Sequence, residues 1–399
     1  MKRDVGLDLI RVLALLFMVS AHYAYALRQN LVINIGQSIF DTGASIFFFG
    51  FGMTFTVFGS KSLSDRVRSH LMFFYVVVAH NVFMAYILEA SIFCTEFFAF
   101  LWIWRLILEF IDIKFKPSSK TYFIFISSVL ALLLLIPYPG LNDFFRRLIE
   151  GPFPLLPWGL FVIAGLVYAR EDSRRGWVKM TIITGIGGAV LLGLFGEMTG
   201  WPAFRLAKWP LTAPYTMLLV GLTILTIEIS RRYAHLYERI PVLPEFFRYI
   251  SANLLLLVAS HYISFFTCKT LYLKFIAPLH SDAADIFGGL ILGPLAAMAL
   301  LMLVLKVCLW LWDNIRLSSP LIWLRARYNK VAVALLILIV ALRESIPVPP
   351  EHGKLSLSLI KLLPSFCAMI YFCLEMQEWA ARRRLERRRE ATPAMNSLT

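Results

Sequence analysis

The sequence predicts an all-α fold: a polytopic transmembrane helix bundle of about 10–12 spans, with N- and C-termini cytoplasmic. Three observations carry this. The 399 residues are 59% hydrophobic and 16% charged, whereas a water-soluble chain carries nearer a quarter charged residues. Mean hydropathy is +0.71. Apolar runs recur along the whole length, and many reach the ~20 residues that a bilayer-crossing helix needs. No polar stretch is long enough for a soluble domain. Residues 1–380 are therefore expected to form a single transmembrane domain, with 381–399 as a basic cytoplasmic tail.

In chain order, spans are expected at roughly 6–27, 38–59, 69–90, 92–113, 121–137, 155–169, 178–197, 211–230, 249–267, 284–305, 331–342 and 355–375. The first follows Met1, Lys2 and Arg3, as a secretory signal would, but Asp4, Asp8 and Arg11 interrupt its apolar region. It reads as a retained helix. Residues 121–137 and 331–342 are short for a crossing, and re-entrant or tilted elements there would lower the total. The loops are of two kinds. KSLSDRVR, KFKPSSK, REDSRRGWVK, RRYAHLYER, the stretch Lys306 to Lys330 and the tail ARRRLERRRE are basic. With the N-terminus inside, about 27 of the 39 Lys and Arg fall on the inner side and about 9 on the outer. The net charge of +14 is thus topological, and no nucleic-acid partner is expected. The tail is expected against anionic lipid of the bilayer.

The outer loops YPGLNDFFRRLIEGPFP and EMTGWPAFRLAKWP are rich in Pro, Gly and aromatics and hold Arg205 and Lys208. Their rings fit an interfacial belt, and equally a stacking platform for a sugar with the charges as hydrogen-bonding groups. Trp158 opens the following span. The five cysteines (Cys94, Cys268, Cys308, Cys367 and Cys373) show no paired spacing and no His partners, so neither metal nor disulfide is expected.

Chemistry concentrates in the first span, which carries Asp8, Arg11 and His22. Ionisable groups inside a membrane segment are costly and point to function. Arg11 and His22 are eleven residues apart, which at about 100° per residue places them on nearly one face and about 16 Å apart along the axis. Asp8 is one turn from Arg11, close enough to pair. An imidazole titrates near neutral pH and can take a proton from an attacking hydroxyl or amine, or act as nucleophile. A guanidinium suits phosphates. Asp41 opens the second span at the same end as His22, where it could orient the imidazole or cap the helix. Gly43, Gly50 and Gly52 on that span permit close helix approach. His261 lies toward the outer end of a later helix and could face the same cavity. His80 is intramembrane too, and Arg105 with Glu109 reads as a structural pair.

These residues carry a family resemblance. Arg3, Leu7-Asp8, Arg11 and the R-x10-H spacing to His22 resemble the integral-membrane acyltransferase superfamily, which includes the acyltransferase type 3 proteins and the heparan-α-glucosaminide N-acetyltransferase-like proteins. Met18, FPLLPWGLFVIAG, KWPLTAPYTMLLVG and SANLLLLVASHY look like the second group. The likeness covers about the first 60 residues and three later islands, and Val12 stands where that family usually has Gly. It implies acyl transfer, commonly of acetyl, from cytosolic acyl-CoA to a sugar hydroxyl or amine of an extracytoplasmic glycan or glycolipid. His22 would be general base or acyl carrier, with Asp41 orienting it. Arg11 and Asp8 would shape the acyl-CoA path, and His261, Trp158, Arg205 and Lys208 would meet the acceptor. A bacterial inner membrane and a homodimer are consistent with it. The competing readings are a proton-coupled transporter or flippase of a saccharide or lipid-linked intermediate, using the same polar groups, and a non-catalytic scaffold.

Overall fold

The computed structural model describes residues 5–24, 27, 31–55, 62–88, 96–135, 153–170, 174–204, 206, 211–275, 278, 281–345 and 355–396. The described residues are helical throughout their regular elements and form a multi-pass membrane protein: seven helices are long and apolar enough to span a bilayer. These are Gly6–Ala24, Val32–Phe55, Leu63–Ala85, Gly176–Thr199, Ala213–Arg232, Leu254–Phe275 and Asp282–Ile315, with shorter apolar helices at Ser119–Leu134, Leu155–Arg170 and Tyr328–Ala341. The helix Phe97–Lys114 is as long but carries Arg105, Glu109, Asp112 and Lys114.

The chain divides into two compact units. The first contains Met1–Ser60, Phe93–Leu254 and His261–Met302. Its helix α1 (Val5–Ala24) has Asp8 in the first turn and His22 in the last, each favourably placed against the helix dipole. Next come α2 (Leu31–Phe40) and α3 (Thr42–Phe55), joined at Asp41. This places the second span earlier than expected, because LVINIGQSIF is apolar enough to extend it backward. Two neighbours of α3 are reached through glycine. Gly43 lies against the α1 backbone, where an added Cβ would stand 2.6 Å from the Met18 nitrogen. Gly52 and Gly165, the latter on a helix spanning Leu155–Arg170, face each other's chain: a Cβ on either would stand 1.9 Å from a carbonyl oxygen, of Val162 or Phe49 respectively. Gly50, expected to share that role, has nothing within 4 Å of its built Cβ.

The remaining first-unit helices follow as α4 (Phe97–Lys114), α5 (Ser119–Leu135), α6 (Leu155–Arg170), α7 (Arg174–Thr199), α8 (Ala213–Arg232), α9 (Ala234–Glu238) and α10 (Val242–Ala252), and α11 (Leu254–Phe275) belongs to this unit except for Leu255–Ser260. The expected span at 249–267 is displaced. Residues 242–252 form a separate amphipathic helix that ends at Asn253, whose backbone turns and whose side-chain amide donates to the Tyr249 carbonyl at 2.9 Å. The span proper begins only at Leu254. The helix after it, α12 (Asp282–Ile315), opens with a π-helical stretch over Asp285–Leu292, where Asp285 accepts a 2.6 Å hydrogen bond from Tyr272.

The second unit contains Lys61–Ile92, Leu255–Ser260 and Leu303–Thr399. Arg325 clasps Glu375 at 2.5 Å and Glu378, and stacks over the Trp312 ring at 4.8 Å. Rings of Tyr75, Tyr328, Tyr371 and Phe372 pack beside one another. The helix Leu355–Asn396 runs unbroken past residue 381, so the basic stretch continues a helix, and Arg383 pairs with Asp65 at 3.0 Å.

Candidate functional site

The polar stripe of α1 meets two partners on consecutive helices. Near its start, Arg11 donates from Nη1 to the Ser251 hydroxyl of α10 at 2.8 Å and pairs with Asp8 at 3.5 Å. The Asp8 carboxylate is almost wholly buried while the Arg11 side chain keeps 31% of its surface exposed. That asymmetry fits a guanidinium reaching toward the N-terminal end of its helix, the direction in which helical side chains lean. Eleven residues on, His22 meets His261 of α11, with Nε2 atoms 3.4 Å apart and ring centroids 5.4 Å apart in a stacked arrangement. Tyr262 and Phe265 close around the same imidazole, both at 5.1 Å between centroids.

The two contacts form a ladder. Arg11 to His22 rises about 16 Å on α1, while on the partner stretch the helix is interrupted at Asn253 between Ser251 and His261. The contacts advance in the same sense on both stretches, from Arg11–Ser251 to His22–His261, so α1 and α11 proceed in the same direction, and Tyr23 packs edge-on against Phe265 at 5.3 Å. The alignment of Arg11 and His22 on one face of α1, expected from helical geometry, is therefore realised as a shared face toward α10 and α11.

Two imidazoles at this distance can hold a single proton between their Nε2 atoms, provided one ring is neutral there and accepts. His261 is 3% exposed while His22 is half-buried, so His22 is the member open to a reacting group.

Other predicted residues have further partners of their own. Asp41 is 2% exposed and accepts a 2.7 Å hydrogen bond from the Tyr215 hydroxyl of α8; its backbone amide closes the last turn of α2 on Gln37. One turn further, Ser45 and Thr223 share a buried 2.7 Å hydrogen bond, so α3 and α8 meet along a polar seam. Trp158 is fully buried among Phe48, Phe153 and Phe161, within the core and not on an open platform. Arg105 and Glu109 pair at 3.1 Å as expected. Arg205 and Lys208 lie outside the described residues, as do Arg3, Cys94 and most of the first outer loop.

Sequence reasoning missed Ser251, Tyr215 and Tyr262. Ser251 had a signal: it stands ten residues before His261, nearly the Arg11–His22 interval. It also missed a cluster at the end of α8, where the buried Tyr168 hydroxyl donates to Glu228 and accepts from Arg231 at 2.8 Å. Beside it Arg170 holds Asp112 at 2.6 Å. Among the described residues no group of three or more His, Cys, Asp or Glu could hold a metal ion. No protein-family model, curated protein or solved structure matches the chain.

Proposed function

We propose that this protein is a membrane-embedded acyltransferase, moving an acyl group, acetyl in the simplest case, from acyl-CoA to a hydroxyl or amine of a sugar across the bilayer. One observation carries the reading: a guanidinium and an imidazole pair stand at opposite ends of one polar face, joined to the same neighbouring stretch of chain. The separation of about 16 Å covers about half of a ~30 Å hydrocarbon core, with an anion-holding group toward one side and an acid–base group toward the other.

In this reading Arg11, steadied by Asp8 and Ser251, holds a phosphate of the donor. His22 takes the proton from the acceptor hydroxyl or amine as its oxygen or nitrogen attacks the thioester carbonyl. The carbon–sulfur bond breaks, and the imidazolium returns its proton to the departing thiolate. His261 keeps the His22 ring oriented. Asp41, through Tyr215, acts on the position of α3 against α8. The acceptor is an extracytoplasmic glycan or glycolipid, and the membrane is a bacterial inner membrane. A full count of 10–12 spans with cytoplasmic termini belongs to the same reading.

The experiment is acetyl-CoA binding and hydrolysis by the protein in nanodiscs. Wild type should bind and slowly hydrolyse the thioester. His22→Ala should retain binding and lose turnover by about 10²–10⁴-fold, the usual worth of a positioned acid–base group. Arg11→Ala should lose binding. Absence of both binding and hydrolysis for every acyl-CoA tried would sink the enzyme reading and return the stripe to a transport or scaffold role.

A further inference from the structure

The 21 residues between α8, ending at Arg232, and α11, starting at Leu254, join two membrane-spanning helices and so lie at one membrane face. They hold α9 and α10 and carry large apolar side chains in the open: Tyr233, Leu236, Ile240, Val242 and Phe246 are all more than 40% exposed. On α10 the side chains divide into three sectors. At about 100° per residue, Val242 and Phe246 lie within about 40° of each other, while Phe247 and Ile250 lie next to them and are buried. Glu245 and Arg248 lie opposite the buried pair and beside Val242, with side chains 77% and 57% exposed. One sector thus faces protein, one is charged, and one is apolar with no protein over it. A helix lying flat at a bilayer surface has this division, its uncovered apolar sector toward the acyl chains and its charged sector toward water.

We infer that α10 and the turn before it are an interfacial element that seats on lipid, with preference for anionic headgroups. Lipid, and not another protein, is the occupant because both ends of the segment continue directly into helices that enter the bilayer. The anionic preference follows from exposed Arg232, Arg239 and Arg248, opposed by Glu238 and Glu245. The same helix carries Ser251, which holds Arg11. Seating therefore fixes the height of Ser251 and, through it, the direction of the guanidinium. This regulatory half rests on the acyl-donor reading; the seating itself does not.

Hydrogen–deuterium exchange of the full-length protein tests it in phosphatidylcholine nanodiscs and in nanodiscs containing phosphatidylglycerol. The α10 amides should exchange severalfold more slowly in the anionic discs. Phe246→Asp should remove that difference while leaving the α8 amides unchanged. If Phe246→Asp disturbs α8 as well, Val242→Asp, at a site 72% exposed, replaces it. Equal α10 exchange in the two lipids overturns the anionic preference. Exchange untouched by a folded aspartate variant, or protection that appears only when a second protein is added, overturns the seating. Acetyl-CoA binding measured in the same discs should weaken severalfold in phosphatidylcholine; unchanged affinity there overturns the link to Arg11. If wild type binds no acyl-CoA in either lipid, the donor reading fails while the exchange result still decides the seating.

Discussion

At the residue scale, the site depends on two hydrogen bonds of different kinds. Ser251 bonds a charged group, a class of bond worth about 1.5–3 kcal/mol when buried, but Arg11 is partly exposed and solvent screening brings the bond below that range, to about 1 kcal/mol. Loss of about 1 kcal/mol corresponds to roughly fivefold in affinity. Ser251→Ala is therefore expected to weaken acetyl-CoA binding about that much with the hydrolysis rate at saturation unchanged, as isothermal titration and a saturation curve would reveal. A Ser251→Ala protein with full affinity and impaired turnover would place the serine in the chemistry instead. His261 is argued to act through His22, so its loss should leave the binding constant alone and lower turnover, by up to about 10²-fold if the ring of His22 swings by an ångström. His261→Asn keeps a side chain able to donate and accept, and should recover part of the loss that His261→Ala causes. Equal damage from both variants would mean that His261 merely fills space.

At the element scale, close helix approach is the testable feature. Gly52 and Gly165 meet backbone and not a yielding side chain, so an alanine at either must push α3 and α6 apart. Overpacking of this kind costs about 1–3 kcal/mol. Gly50, two residues away on the same helix, meets nothing, and Gly50→Ala should be neutral or stabilising by up to about 1 kcal/mol through helix propensity. Thermal unfolding of the three variants in detergent gives the comparison: lower Tm for Gly52→Ala and Gly165→Ala, unchanged or higher Tm for Gly50→Ala. The contrast also marks the limit of what was legible in the sequence. Apolar runs announced helices, and helical phase placed Arg11 and His22 on one face, because both follow from local chemistry and fixed geometry. Which of three glycines near one another would be pressed against a neighbour depends on how α3 crosses α6, and no local pattern encodes a crossing angle. The break at Asn253 was hidden for a related reason. The residues on either side are apolar, so hydropathy joined an interfacial helix to a spanning one, and only the phase of Val242, Phe246, Phe247 and Ile250 could have separated them. Asp41 was legible as a polar group worth watching, but its partner Tyr215 lies 174 positions away.

At the scale of the whole molecule, the parallel direction of α1 and α11 constrains the topology. Both helices start at the face where Arg11 meets Ser251 and proceed toward the histidine pair. An even number of crossings must therefore occur from the start of α1 to the start of α11. Of the helices long and apolar enough to span, five fall in that interval: Gly6–Ala24, Val32–Phe55, Leu63–Ala85, Gly176–Thr199 and Ala213–Arg232. Five is odd, so if each of these five crosses, an odd number of the remaining three, α4, α5 and α6, is expected to cross as well. If all three do, the interval contains eight crossings, and the charged α4 enters the membrane with Arg105 neutralised by Glu109. The same reasoning extends to the ends of the chain. If the spans that follow α11 are those expected from the sequence, the total would be even and the two termini would share a face, which is the expectation to test. Fusions of a fluorescent reporter that matures only in the cytoplasm, or of an alkaline phosphatase active only outside it, check this directly. Both termini should report cytoplasm, and a junction in the loop between α5 and α6 should report the opposite side. Termini on opposite faces would mean an odd total, and the shorter helix Tyr328–Ala341 would then be the first to reassign as a re-entrant element. A cytoplasmic signal from the α5–α6 loop would instead remove crossings from the first interval, and with them the proposed placement of Arg11 and His22 toward opposite membrane faces.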